Sequence, residues 1–142
     1  MRQSSTRIFC PFSPDHYGAG IYADENGQNI LVEDCVIADN VASRGAGARF
    51  GSYRRCRFLN NIAYSWGSAA RECDLYSCFI KGNEGISEKK TYTIYNAGVI
   101  DGCTFGANTD TYQIKPSSRK NVVRNTMIAS GNAEISYAQF VA

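Results

Sequence analysis

Three prolines, one histidine and one tryptophan are all that these types contribute to 142 residues. No apolar run approaches the roughly 18 residues that a membrane-spanning helix needs, so insertion into a membrane is not expected. One histidine and no Cys-x-x-Cys spacing leave no metal-ligand pattern, and no cofactor is expected. Charge of one sign is also missing: 15 Lys and Arg against 13 Asp and Glu leave +2, too balanced for a nucleic-acid partner. The segment from Met1 to Arg7 is basic with no apolar stretch behind it, so it does not read as a signal peptide and the compartment stays open.

With 44% hydrophobic and 20% charged residues, the chain is expected to fold as one domain over 1–142 rather than stay disordered. What it has in quantity is 13 Gly, 9 Tyr and 7 Phe, a mixture suited to strands and turns. It also has 6 Cys, and their spacing is regular. Cys10, Cys35, Cys56, Cys78 and Cys103 lie 25, 21, 22 and 25 residues apart, and Asn125 follows after 22 more.

The text after each anchor repeats: CPFSPD, CVIADN, CRFLNN, CFIKGN and CTFGAN. An apolar residue stands two after each Cys (Phe12, Ile37, Phe58, Ile80, Phe105), and Asp or Asn stands five after (Asp15, Asn40, Asn61, Asn83, Asn108). A looser copy runs from Asn125 through Ile128 to Asn132. Three residues before the anchor come Val32, Tyr53, Leu75 and Ile100. Alternation inside each copy has the two-residue period of strands, and 21–25 residues are too few for a βαβ unit. Short strands and turns at this period predict a parallel β-helix of about six coils, right-handed by the usual preference of parallel crossovers.

The stretch from Gly18 to Ala70, GAGIYADENGQNILVEDCVIADNVASRGAGARFGSYRRCRFLNNIAYSWGSAA, resembles the repeats of right-handed parallel β-helix proteins of the pectin-lyase-like class, nearest to the polymorphic outer-membrane and adhesin type. The resemblance extends over about residues 8–132 and implies the fold and a secreted or cell-surface setting. It does not select a function, since that architecture carries lyases, hydrolases, adhesins and tailspikes alike.

The Cys column is expected to face the core as reduced, stacked thiols, with Cys73 and Cys78 the nearest approach to a pair. The Asp15–Asn108 column is expected to form an amide ladder where the strand ends. Gly45, Ala46 and Gly47 lack the context of a nucleotide fingerprint and read as small residues where strands crowd. His16 beside Asp15 reads as a turn residue. Charges in Glu84–Lys90 predict a loop out of the solenoid, returning as a strand around Tyr92 and Ile94.

A glycoside-cleaving site on the repeated strand would need an acid and a base side by side. The outward positions read Pro11 and Ser13, Val36 and Ala38, Arg57 and Leu59, Phe79 and Lys81, Thr104 and Gly106, with no acid among them. Arg57, Phe79 and Lys81 fall on neighbouring coils and offer two cations and a ring to an acidic polysaccharide, although a plain solvated face is the simpler reading. The sequence therefore points to a non-enzymatic structural or adhesive module, with a carbohydrate-active enzyme or a fragment of one as the alternative. The segments Met1–Thr6 and Ile135–Ala142 do not read as cap helices, so homo-oligomerisation or continuation through the solenoid ends is a further expectation.

Overall fold

The computed structural model describes residues 6–8, 20–23, 30–117, 122–128 and 134–135. Every regular element among them is a strand, and every strand pairing is parallel to the equivalent strand one coil away. Four sheets result. Sheet I stacks Thr6–Ile8, Cys35–Ala38, Arg57–Leu59, Phe79–Lys81, Thr104–Phe105 and Met127–Ile128. Sheet II holds Val41–Ala42, Ile62–Ala63 and Glu84–Gly85; sheet III contains Ile21–Tyr22, Ala48–Arg49, Trp66–Arg71, Tyr92–Ala97, Tyr112–Pro116 and Glu134–Ile135. Sheet IV comprises Leu31–Glu33, Ser52–Arg54, Asp74–Tyr76, Val99–Asp101 and Val122–Arg124. The chain visits them in the order IV, I, II, III and back to IV, which makes the fold a parallel β-solenoid.

Six strands stack in sheets I and III, but the solenoid amounts to about four turns rather than the six coils expected. Sheet II has three strands and sheet IV five, so the outer coils are incomplete among the described residues.

Interior columns follow the sequence repeat. Ile37, Phe58, Ile80 and Phe105 line sheet I, and Tyr53, Leu75, Ile100 and Val123 line sheet IV, all essentially inaccessible to water. Each such side chain contributes about 1.5–3 kcal/mol over its exposed state. Where sheet IV carries the bulk of Tyr53, the facing column of sheet III carries Ala48 and Ala70; in the coil with Leu75, sheet III carries Ile94. Tyr53 meets Phe58 edge-on at 5.5 Å and donates its hydroxyl to the Phe50 carbonyl at 2.8 Å.

Single residues in left-handed conformation make the corners. Asp34, Arg55, Ser77, Gly102 and Asn125 turn sheet IV into sheet I; Asp39, Asn60 and Gly82 turn sheet I into sheet II; Phe50, Glu72 and Asn96 lead from sheet III to sheet IV. The Asn column therefore does not itself supply the left-handed residue; at Asn40, Asn61 and Asn83 the position before it does. Register also corrects both ends of the repeat. Thr6 pairs with Cys35 and Ile8 with Ile37, so the first coil enters four residues ahead of Cys10. Cys10, Phe12, Asp15, His16 and Asn132 lie outside the described residues. Thr104 pairs with Met127, which places Thr126, not Asn125, in the Cys column. Its hydroxyl accepts the Cys103 N–H at 3.3 Å, as the Cys103 sulfur accepts the Cys78 N–H at 3.4 Å.

Small residues sit where strands crowd, as expected. A Cβ on Gly47 would lie 2.3 Å from the Ala69 carbonyl oxygen. Glu84–Gly85 is a short strand of sheet II, so the loop is confined to residues 86–91 before the chain returns at Tyr92.

Candidate functional site

On sheet I the three residues singled out by sequence do point outward together. Arg57 pairs in register with Phe79, and its guanidinium lies 5.8 Å from the ring centre. Lys81 stands in the other outward column, paired with Leu59, its stem passing over Gly106. One rung and two residues separate Arg57 from Lys81, about 8 Å on strand geometry. Arg57 and Lys81 are exposed and Phe79 is half-buried.

Sheet III carries a denser arrangement that the sequence reading did not find. Its outward positions Tyr22, Arg49, Arg71, Tyr95 and Lys115 form one column in register, and Trp66, Tyr92 and Tyr112 form another. Trp66 stacks on Tyr95 with centroids 5.0 Å apart and planes 10° from parallel; Tyr92 stacks on Tyr112 at 5.3 Å and 19°. Cations lie over these rings. Arg44 is 4.5 Å from the Trp66 centre, Arg71 is 5.5 Å from Tyr95, and Lys90 is 5.4 Å from Tyr112. Lys115 is 5.0 Å from Tyr95 and 5.5 Å from Tyr92.

Ring faces occupied by other rings and by cations cannot also be platforms for sugars. The aromatic residues instead fix where the positive charges stand, through cation–π attraction of about 0.5–2 kcal/mol each. Glu72 sits among the arginines: its Oε2 is 3.0 Å from Arg49 Nε and 3.4 Å from Arg71 Nε. Burial lowers the affinity of Arg71 for its proton; Glu72 opposes this, and Arg49 and Arg44 add to it. The guanidinium stays charged regardless. An arrangement of held cations with ring edges outward can bind oxyanions by charge and by hydrogen bonds.

The interior offers little chemistry to a ligand. The amide ladder is built as expected over Asn40, Asn61, Asn83 and Asn108: each Oδ1 of the last three accepts both the backbone N–H and the Nδ2–H of the preceding Asn, at 2.9–3.1 Å. The ladder ends in a polar knot. Asn108 Nδ2 donates to Gln113 Oε1 at 3.0 Å, and the Ser68 and Thr93 hydroxyls donate to Asp110 Oδ2 at 2.5 and 3.0 Å. Burial raises the Asp110 carboxyl above its ordinary value, against those two hydrogen bonds. At 3% exposure it is sealed from any polymeric substrate.

Cys35, Cys56, Cys73, Cys78 and Cys103 are all reduced thiols, as expected of them. Cys73 belongs to a different corner from the main column, with its thiol directed to the Arg71 and Phe50 carbonyls. Burial lifts Cys73 well above the usual thiol range, and Cys78 is held at about 12, first by its hydrogen bond with the Cys103 thiol. Among the described residues no group of three His, Cys, Asp or Glu side chains converges to hold a metal ion.

The sheet III columns did have a sequence signal. Arg49, Arg71, Tyr95 and Lys115 follow one another at 22, 24 and 20 residues, but they stand 14, 15, 17 and 12 residues after their Cys anchors and so fall out of alignment with them. Comparison with protein-family models, with curated proteins and with solved structures returned no match for this chain.

Proposed function

We propose that this chain is a non-enzymatic structural or adhesive β-solenoid module whose outer faces hold acidic glycans. The observation that supports it most is the sheet III face, where Arg44, Arg71, Lys90 and Lys115 are each held over an aromatic ring. Arg57 and Lys81 add two exposed cations on sheet I. Columns locked in register on a rigid solenoid present these charges at the rung spacing of about 4.8 Å, which suits an extended polymer with regularly placed negative groups. The resemblance of the Gly18–Ala70 stretch to adhesin-type pectin-lyase-like repeats agrees with this setting. The outward positions of the sheet I strand carry no acid, and Asp110 is spent on internal hydroxyls, which favours binding over cleavage.

A panel of neutral, uronic-acid and sulfated polysaccharides tests the reading. Acidic polymers should bind and neutral ones should not. Binding should fade between 0.1 M and 1 M salt, as the screening length falls from about 10 Å to about 3 Å. Turnover of any polymer, or binding indifferent to both charge and salt, would overturn it.

A further inference from the structure

We infer that Arg71, flanked by Arg49 and Arg44, forms a discrete oxyanion subsite on the sheet III face, with Glu72 as an internal counter-ion that an incoming carboxylate or sulfate ester displaces. This rests on the glycan-binding reading above and names its anchoring point.

Arg71 ends the strand Trp66–Arg71, and its side chain is only 12% exposed. Its Nη1 has no hydrogen-bond partner among the described residues, and its Nε reaches Glu72 only at 3.4 Å. A guanidinium offers a planar fork of donors, and a buried donor left unmade is costly. Two guanidiniums share one carboxylate oxygen: Arg49 Nε takes the closer place on Glu72 Oε2, at 3.0 Å. Glu72 is thus the carboxylate set against Arg71, with the like charges of Arg49 and Arg44 beside it. The unmade Nη1 donor is what an oxyanion would fill.

The cluster is also preorganised. A Cβ on Gly45 would lie 3.2 Å from Arg71 Cβ and 3.3 Å from Arg49 Cβ, and one on Gly67 would lie 3.1 Å from Arg71 Cβ. Both glycines have positive φ, 62° and 75°. Two successive turns thus press bare backbone against the arginine stems, while Tyr95 and Trp66 hold the guanidiniums of Arg71 and Arg44 from the other end. Little side-chain entropy remains to be lost when an oxyanion binds. Carboxylates and sulfates both match the fork, so the shared chemistry is an oxyanion carried on a polymer.

The test measures binding of a uronate polymer, a sulfated polymer, a neutral polymer and inorganic sulfate alone. Proteins compared are the wild type, Arg71→Gln, Glu72→Gln and the Arg57→Ala, Lys81→Ala double variant. Arg71→Gln should weaken binding of at least one acidic polymer by about tenfold, the scale of one charge-assisted hydrogen bond. Glu72→Gln should strengthen it severalfold by removing the internal competitor. The sheet I double variant removes a separate pair of cations and should weaken binding less than Arg71→Gln does. Should Arg71→Gln fail to fold, Glu72→Gln still decides: unchanged or weaker binding overturns the subsite. Loss in the sheet I variant with none in Arg71→Gln overturns the subsite and leaves the glycan reading standing. Absence of binding by any acidic polymer overturns both. Inorganic sulfate binding that responds to Arg71→Gln, without polymer binding, overturns the polymer ligand.

Discussion

A carboxylate packed against two hydroxyls inside a protein gives up stability in order to ionise, and Asp110 is placed in that way. Its folded pKa lies above the ordinary value of 3.8, with burial as the first cause. Between those two values the folded state binds more protons than the unfolded one, so this group makes stability fall as pH rises through the window. Beyond the folded pKa the loss is complete. Asp110→Asn keeps an oxygen for Ser68 and Thr93 but cannot ionise. Its stability relative to the wild type, from urea midpoints, should rise between pH 4 and pH 7; a constant or shrinking difference would mean that Asp110 does not ionise inside the solenoid. Sequence could not single this residue out, because Asp110 lies two positions after Asn108, outside the repeated pattern, and its partners Ser68 and Thr93 come from other coils. The Cys column was legible because a small apolar group is wanted at the same corner of each coil. Thr126 fills that corner once, which is why anchoring on residue identity placed the last coil one residue early.

At the scale of the element, strands of two to six residues are too short to be specified by their own propensity. The corners specify them. Asn, Asp and Gly provide many of the left-handed positions, but Phe50, Arg55, Glu72 and Ser77 adopt the same conformation because neighbouring coils impose it, at about 1–3 kcal/mol each. Those four carry no local turn signal, so the corners could be located only from the repeat. The loop at 86–91 was legible from its charges, and the two-residue strand before it was not, since Glu84 and Gly85 pair only through the backbone of Ile62 and Ala63. Lys89 and Lys90 are exposed in that loop, outside any strand. Arg54 and Arg55 are exposed as well, yet the Arg55 N–H is bonded to the Tyr76 carbonyl at 3.0 Å and the backbone is held in the stack. Limited trypsin digestion should therefore cut first at Lys89 or Lys90, read by mass of the fragments. A first cut at Arg54 or Arg55 would mean that sheet IV is not paired as described.

For the molecule as a whole, stability and function both derive from columns: apolar residues and amides inside, cations and rings outside. The inner columns were readable because burial demands the same residue type at each coil, as Ile37, Phe58, Ile80 and Phe105 demonstrate. The outer column on sheet III was not, because solvent-facing positions tolerate Tyr22, Arg49, Arg71, Tyr95 and Lys115 in turn, and only the register shows them to be neighbours. The ladder of Asn40, Asn61, Asn83 and Asn108 makes the register directional. Each backbone N–H points to the Oδ1 of the next coil, from Asn40 to Asn61, from Asn61 to Asn83, and from Asn83 to Asn108. Amide hydrogen exchange by NMR on Asn61→Ala is the most direct test of that stacking. The Asn40 N–H loses its acceptor and should lose protection beyond the global loss of stability, while the Asn83 N–H, bonded to Asn108, should keep its protection relative to its neighbours. Selective loss at Asn83, or equal loss at both, would contradict in-register stacking of the coils.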